Sequence, residues 1–122
     1  MSRDAAVLLR RGAIVMVSFD PATGSEAAKV RPAVIVSNNT ANAAAGRTGG
    51  VVTVVPVTSN TARVYPFQVL LPATATGLPR DSKAQAEQVR SVSVTRIADA
   101  SGWVDSDLMQ QLDDAMRVHL AL

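Results

Sequence analysis

The sequence predicts a mainly β domain, a small and strongly bent barrel closed by one C-terminal helix. Three observations carry that prediction. Short runs rich in Val, Ile and Thr recur between turn signals. From Asp105 to about Leu120 the period changes, and apolar residues fall at helical spacing. At 122 residues with 48% apolar content, the chain has the size and composition of one domain, 1–122, with one core.

In chain order, Ser2 can cap a helical turn before Leu9. Ala13 to Phe19 reads as a strand, ended by Asp20-Pro21. Residues Asp20 to Ala28 (DPATGSEAA) have no periodicity and read as a hairpin loop, a kind of segment that often carries function. Val30 to Ser37 is the second strand. Asn39 or Thr40 can cap one short alanine-rich helical turn, which Gly46, Gly49 and Gly50 end.

Val51 to Thr58 (VVTVVPVT) is almost continuously β-branched and reads as the most buried strand, with a bulge or an edge demanded at Pro56. Tyr65 to Leu71 is a fourth strand, and Thr76 to Asp81 a turn. Ser82 to Gln88 and Arg90 to Val94 read as two more strand segments. Ile97 to Trp103 reads as irregular. The last helix has Asp105 or Ser106 as its cap and Leu108, Leu112, Ala115, Met116 and His119 on its apolar face. A packed, hydrogen-bonded role is expected for His119.

Composition excludes several classes. There is no cysteine, so disulfides and thiolate metal sites are out, and a single histidine argues against a histidine-built metal centre. No cofactor is expected. No apolar run reaches membrane-spanning length, and Met1 to Arg11 lacks the apolar core of a signal peptide. A cytoplasmic protein with no membrane contact is the expectation.

Charge is unevenly placed. Residues 1–96 carry eleven Lys/Arg against five acids, while residues 97–122 carry one Arg against five Asp. The basic part is mostly arginine, whose planar fork of donors fits phosphate. That points towards nucleic acid.

The chemistry centres on Lys29 to Asn39 (KVRPAVIVSNN). Pro32 fixes φ and lacks a donor, so it belongs at a strand's start or on an edge. It also pushes Arg31 into extended geometry. Arg31 is therefore held at a strand mouth. Two roles fit it, handling a phosphate or capping the strand beside an acid.

Four blocks resemble the MazF/PemK-type toxins, the endoribonucleases of type II toxin–antitoxin pairs. They are Arg10 to Glu26 (RRGAIVMVSFDPATGSE), Lys29 to Asn39, Val54 to Asn60 (VVPVTSN), and YPFQVLLP with KAQAEQVRS between Tyr65 and Ser91. The resemblance covers most of the chain. It implies an SH3-like (CcdB/MazF-like) barrel, a homodimer, metal-independent cleavage of single-stranded RNA at short sequences, and a cognate antitoxin with a disordered tail. Carried over by position, it implies Arg31 and Thr58 as catalytic residues and Glu26 as the acidic loop residue. Two departures matter. Some relatives have histidine where this loop has Ser25, and some have Arg-x-Asp where this chain has Gln85-Ala86-Glu87.

RNA carries its own nucleophile, the 2′-hydroxyl, so such a reaction leaves a 2′,3′-cyclic phosphate and a 5′-hydroxyl. Arg31 would stabilise charge on phosphorus and donate a proton, Thr58 would position the phosphate, and Glu26 is the candidate base, since arginine is a poor one. Bases splayed from an unpaired strand would be read at their edges. Asn38, Asn39, Ser59 and Asn60 are candidate readers, with the Asp20 to Ala28 loop. Arg47, Arg63, Arg80 and Lys83 are candidate phosphate contacts. One Trp, one Tyr and two Phe leave no extended stacking platform. Two rival readings are a gyrase-poisoning toxin of the same fold and an RNA- or peptide-binding SH3-like module.

Overall fold

A computed structural model describes residues 9–20 and 29–122. The expected cap at Ser2 and the loop that contains Ser25 and Glu26 lie outside the described residues. Among those described, seven strands form one antiparallel, mixed-length sheet in the order β4-β5-β3-β2-β1-β7, with β6 pairing β3 beside β5. The strands are β1 (Ala13–Asp20), β2 (Lys29–Ile35), β3 (Val51–Thr58), β4 (Gln68–Leu71), β5 (Ser82–Gln85), β6 (Arg90–Ser93) and β7 (Ile97–Trp103). Among the described residues three α-helices accompany them: α1 (Asn39–Thr48), α2 (Ala73–Thr76) and α3 (Ser106–Leu120).

The central strands are apolar on both sides because both sides are covered. Along β2 and β3 the side chains alternate between two cores. Val34, Val55 and Val57 join Leu71, Met109, Leu112 and Ala115 under α3. Ala33, Ile35, Val52 and Val54 join Val15, Val17 and Ala45 of α1 on the opposite face.

Of the bulge or edge that the sequence demanded at Pro56, the structure has the edge. Pro56 pairs in register with Ala33 on one side of β3. On the other side, β6 pairs Val51 to Val54 and β5 begins only at Val57. Its missing N–H falls where one neighbour has ended and the next has yet to start.

Several expectations need correction. The alanine-rich turn is a full helix of 10 residues. Asn38 caps it by accepting from Ala41 N at 2.8 Å, Gly49 closes it at φ 76°, and alanine, the best helix former, fills it. The strand expected from Tyr65 starts only at Gln68, because a turn closes first: Gln68 N donates to Tyr65 O at 2.8 Å, and Gln68 Oε1 accepts from Tyr65 N. Ser82 to Gln88 splits into β5 and a 3-10 turn, Ala86–Gln88.

Ile97 to Trp103 is a strand, not irregular. It is a largely exposed edge strand that pairs β1 through backbone with two register shifts, so no side-chain alternation marks it. Gly102 lets it pass α2: a Cβ there would lie 2.5 Å from Thr76 O.

His119 is exposed, not packed. The buried stripe of α3 is Met109, Leu112 and Ala115, and the last turn, with Val118 and Leu120 exposed, runs beyond the core. Arg11 ties α3 to the barrel. Its Nη2 bonds Asp113 Oδ1, its Nε donates to Val36 O at 2.9 Å, and its backbone N donates to Asn39 Oδ1.

Candidate active site

The odd positions of β2 run from core to surface. Ile35 and Ala33 are buried, and Arg31 and Lys29 emerge on the same sheet face, away from α3. Pro32 sits just past the end of the β2–β3 ladder, so its absent donor breaks no bond to β3. On the other side it stays in register with Met16 of β1. Extending the pairing of Ala33 with Pro56 by two residues sets Arg31 opposite Thr58, the last residue of β3.

Both residues border one open cleft of about 340 Å³, whose walls include the apolar Met16, Pro32, Val57 and Leu78 as well as Ser59, Arg80, Ser82 and Ser101. No carboxylate is in that lining. Arg31 is half-buried, and its Nη2 donates to Gln85 Oε1 at 3.2 Å, which leaves most of the guanidinium's donors unspent. Thr58 Oγ1 accepts from Asn60 N at 3.3 Å, so its own hydroxyl hydrogen remains available for a ligand.

Arg63, Tyr65 and Phe67 gather beside β5, where Lys83, the strand partner of Thr58, donates to Arg63 O. The Tyr65 and Phe67 rings stack with centroids 5.3 Å apart, and the Arg63 guanidinium lies 5.7 Å from the Tyr65 centroid. The sequence reading found no extended platform, yet two of the four aromatics make a small one. The nearness of Arg63, Tyr65 and Phe67 in the chain was the available signal, and the turn from Tyr65 to Gln68 brings the two rings together. Gln85 was also missed, because its tie to Arg31 depends on the β3–β5 register.

The other sequence candidates divide. Ser59 lines the cleft, and Asn60 turns the chain beyond Thr58, its Oδ1 accepting from Ala62 N at 3.2 Å. Asn38 and Asn39 are not brought to the cleft. They lie past the far end of β2, where one caps α1 and the other holds Arg11 N. Arg47 lies on the last turn of α1, outside the cleft lining. Lys83 is buried at 8% exposure, and its Nζ donates to Arg63 O at 2.5 Å. It braces the loop that carries the aromatic pair and is not a free surface cation. Glu87, in the 3-10 turn after β5, accepts from Gln68 Nε2 at 2.8 Å. Among the described residues, no group of three His, Cys, Asp or Glu is arranged to hold a metal ion.

The described residues thus form a small bent β-barrel in which Arg31 and Thr58, set opposite one another at the sheet's end, border one cleft, the architecture of a compact phosphate-handling domain. Residues 10–120 match the family model described as PemK-like, MazF-like toxin of type II toxin-antitoxin system, and the chain belongs to that family. It is 59% identical over 116 residues to endoribonuclease MazF9 of Mycobacterium tuberculosis, a match covering 94% of this chain and 98% of that one. It is 28% identical to endoribonuclease EndoA of Bacillus subtilis, over 95% of this chain and 97% of that one. Among solved structures, MazE-MazF (Form-II) from Deinococcus radiodurans superposes with a TM-score of 0.75 at 30% identity, covering 93% of this chain and 96% of that one. The fold is thus the CcdB/MazF-like barrel that the resemblance implied.

Proposed function

We propose that this chain is an endoribonuclease toxin that cuts single-stranded RNA at short specific sequences, without a metal, and is neutralised by a cognate antitoxin. Family membership supports the toxin and nuclease parts. The observation that carries the chemistry is the cleft that Arg31 and Thr58 both border, with Arg80 and no carboxylate in its lining.

In the proposed reaction a base takes the proton of the 2′-hydroxyl and O2′ attacks the adjacent phosphorus. The bond from phosphorus to O5′ then breaks, and the departing O5′ receives a proton. The products are a 2′,3′-cyclic phosphate and a 5′-hydroxyl. Arg31 holds the non-bridging oxygens as charge builds and supplies the departing oxygen's proton. Thr58 donates to the same phosphate. Glu26 is the proposed base. Because the nucleophile belongs to the substrate, the route needs no metal.

Ser59, Asn60 and the Tyr65–Phe67 pair are the proposed base-contacting groups, with Arg63 and Arg80 on phosphates. The antitoxin would lay acidic groups across the same cleft, and the toxin would act as a cytoplasmic homodimer. The MazE-MazF complexes of a relative at 30% identity support an antitoxin partner.

A mixed-sequence RNA incubated in EDTA tests the reading. Discrete cuts with cyclic-phosphate ends support it. Products with a 3′-hydroxyl and a 5′-phosphate refute the route. Binding without cutting favours the SH3-like module, and an effect on gyrase alone favours the gyrase-poisoning toxin.

A further inference from the structure

Arg31 borders a second cleft that Thr58 does not reach. It is small, about 150 Å³, and is lined by Phe19, Lys29, Arg31, Pro56, Gln88 and Arg90. Its origin is the seam in the sheet. Pro56 stands in its wall, at the position where β3 has left β6 and not yet met β5.

Three of the six lining residues are cations from two strands, one is an amide, and no lining residue is an acid. Neither Lys29 nor Arg90 has a carboxylate partner among the described residues. The Arg90 guanidinium is steadied over the Phe19 ring, 5.2 Å from its centroid. Like charges gathered around so small a volume repel one another, and an anion placed between them removes that penalty. The guanidinium forks select tetrahedral oxyanions by shape as well as by charge.

We propose that this cleft is a second phosphate subsite, which holds the phosphodiester next to the one being cut. The inference rests on the RNA-cutting reading above. Because Arg31 borders both clefts, one strand can run from the first to the second with consecutive phosphates on either side of that residue. Lys29 and Arg90 are then positioning residues. They touch a phosphate that does not react, and they fix the register of the one that does. This contact carries no sequence information.

Phosphate ethylation interference tests it without knowledge of the RNA word. A long RNA with fewer than one ethylated phosphate per molecule is cut in EDTA, and the ethyl groups missing from the cut pool are mapped. The wild-type chain should show interference at the scissile phosphate and at one adjacent phosphate. Lys29→Ala with Arg90→Gln should lose the adjacent signal and keep the scissile one. Both residues are exposed, so the variant should fold, and circular dichroism checks that. Its plot of log kcat/KM against log salt should flatten by about 0.7, one phosphate contact on a single strand. Interference at the scissile phosphate alone overturns the proposal while leaving the nuclease reading intact. So does an adjacent signal that survives the double substitution. An RNA left uncut by the wild-type chain is a different result, which removes the nuclease reading and this subsite with it.

Discussion

Replacing Arg31 separates chemistry from folding. Among the described residues its side chain makes one hydrogen bond, the 3.2 Å contact to Gln85, and it is half-buried. A bond from a charged donor at so long and half-exposed a contact is worth about 1.5 kcal/mol to the fold, the low end of the range for charged groups. Removing one preorganised donor from a developing oxyanion raises a barrier by about 2.7–4 kcal/mol, or about 10²–10³ in kcat. Arg31→Ala should therefore lose about 10²–10³ in kcat and only a few degrees of Tm. Arg31→Lys keeps the charge but not the fork, so it cannot hold Gln85 and a phosphate together; its loss should fall between wild type and Ala. Single-turnover cleavage of a labelled RNA in EDTA reads the rate, and thermal unfolding reads the fold. An Ala variant within about threefold of wild type would refute the reasoning, as would a rate loss matched by an equally large loss of stability.

Other outcomes follow from the packing. Gly102→Ala should destabilise the protein by about 2 kcal/mol in urea unfolding, since its Cβ would meet Thr76 O at 2.5 Å. Asn38→Ala should remove about 1 kcal/mol with the cap of α1 and leave the cleavage pattern unaltered; a changed pattern would restore Asn38 as a base reader. Tyr65→Ala should weaken RNA binding by about 1–3 kcal/mol, measured by anisotropy on an uncleavable 2′-deoxy analogue. A double-mutant cycle on Arg11 and Asp113 should give about 1 kcal/mol of coupling in chemical unfolding.

Legibility in the sequence followed burial. Val51–Thr58 could be read to the residue, because β-branched side chains buried on both faces leave no competing pattern. The last helix was similarly clear from its cap and period. Ile97–Trp103 was not, since an edge strand held by backbone bonds has no reason to alternate. Arg31 stood out through its proline. That Thr58 shares its cleft came only from the family resemblance, because twenty-seven residues of sequence separation say nothing about strand register. The structure gives Asn38 a capping role and Asn39 a bond from Arg11 N, and the sequence could not tell these from base reading because all use the same amide group. The convergence of Lys29 and Arg90 depends on which strands meet β3, and no spacing rule contains that.

The helix α3 covers one face of the central sheet, with Asp105, Asp107 and Asp114 exposed on its outer side, while Lys29, Arg31 and Arg90 occupy the other face. Although its net charge is only +2, the molecule is electrically two-sided. A polyanion drifting nearby exerts a torque that turns the cleft towards it before the surfaces touch. A larger fraction of collisions then begins in a usable orientation, and dilute buffer enlarges that fraction.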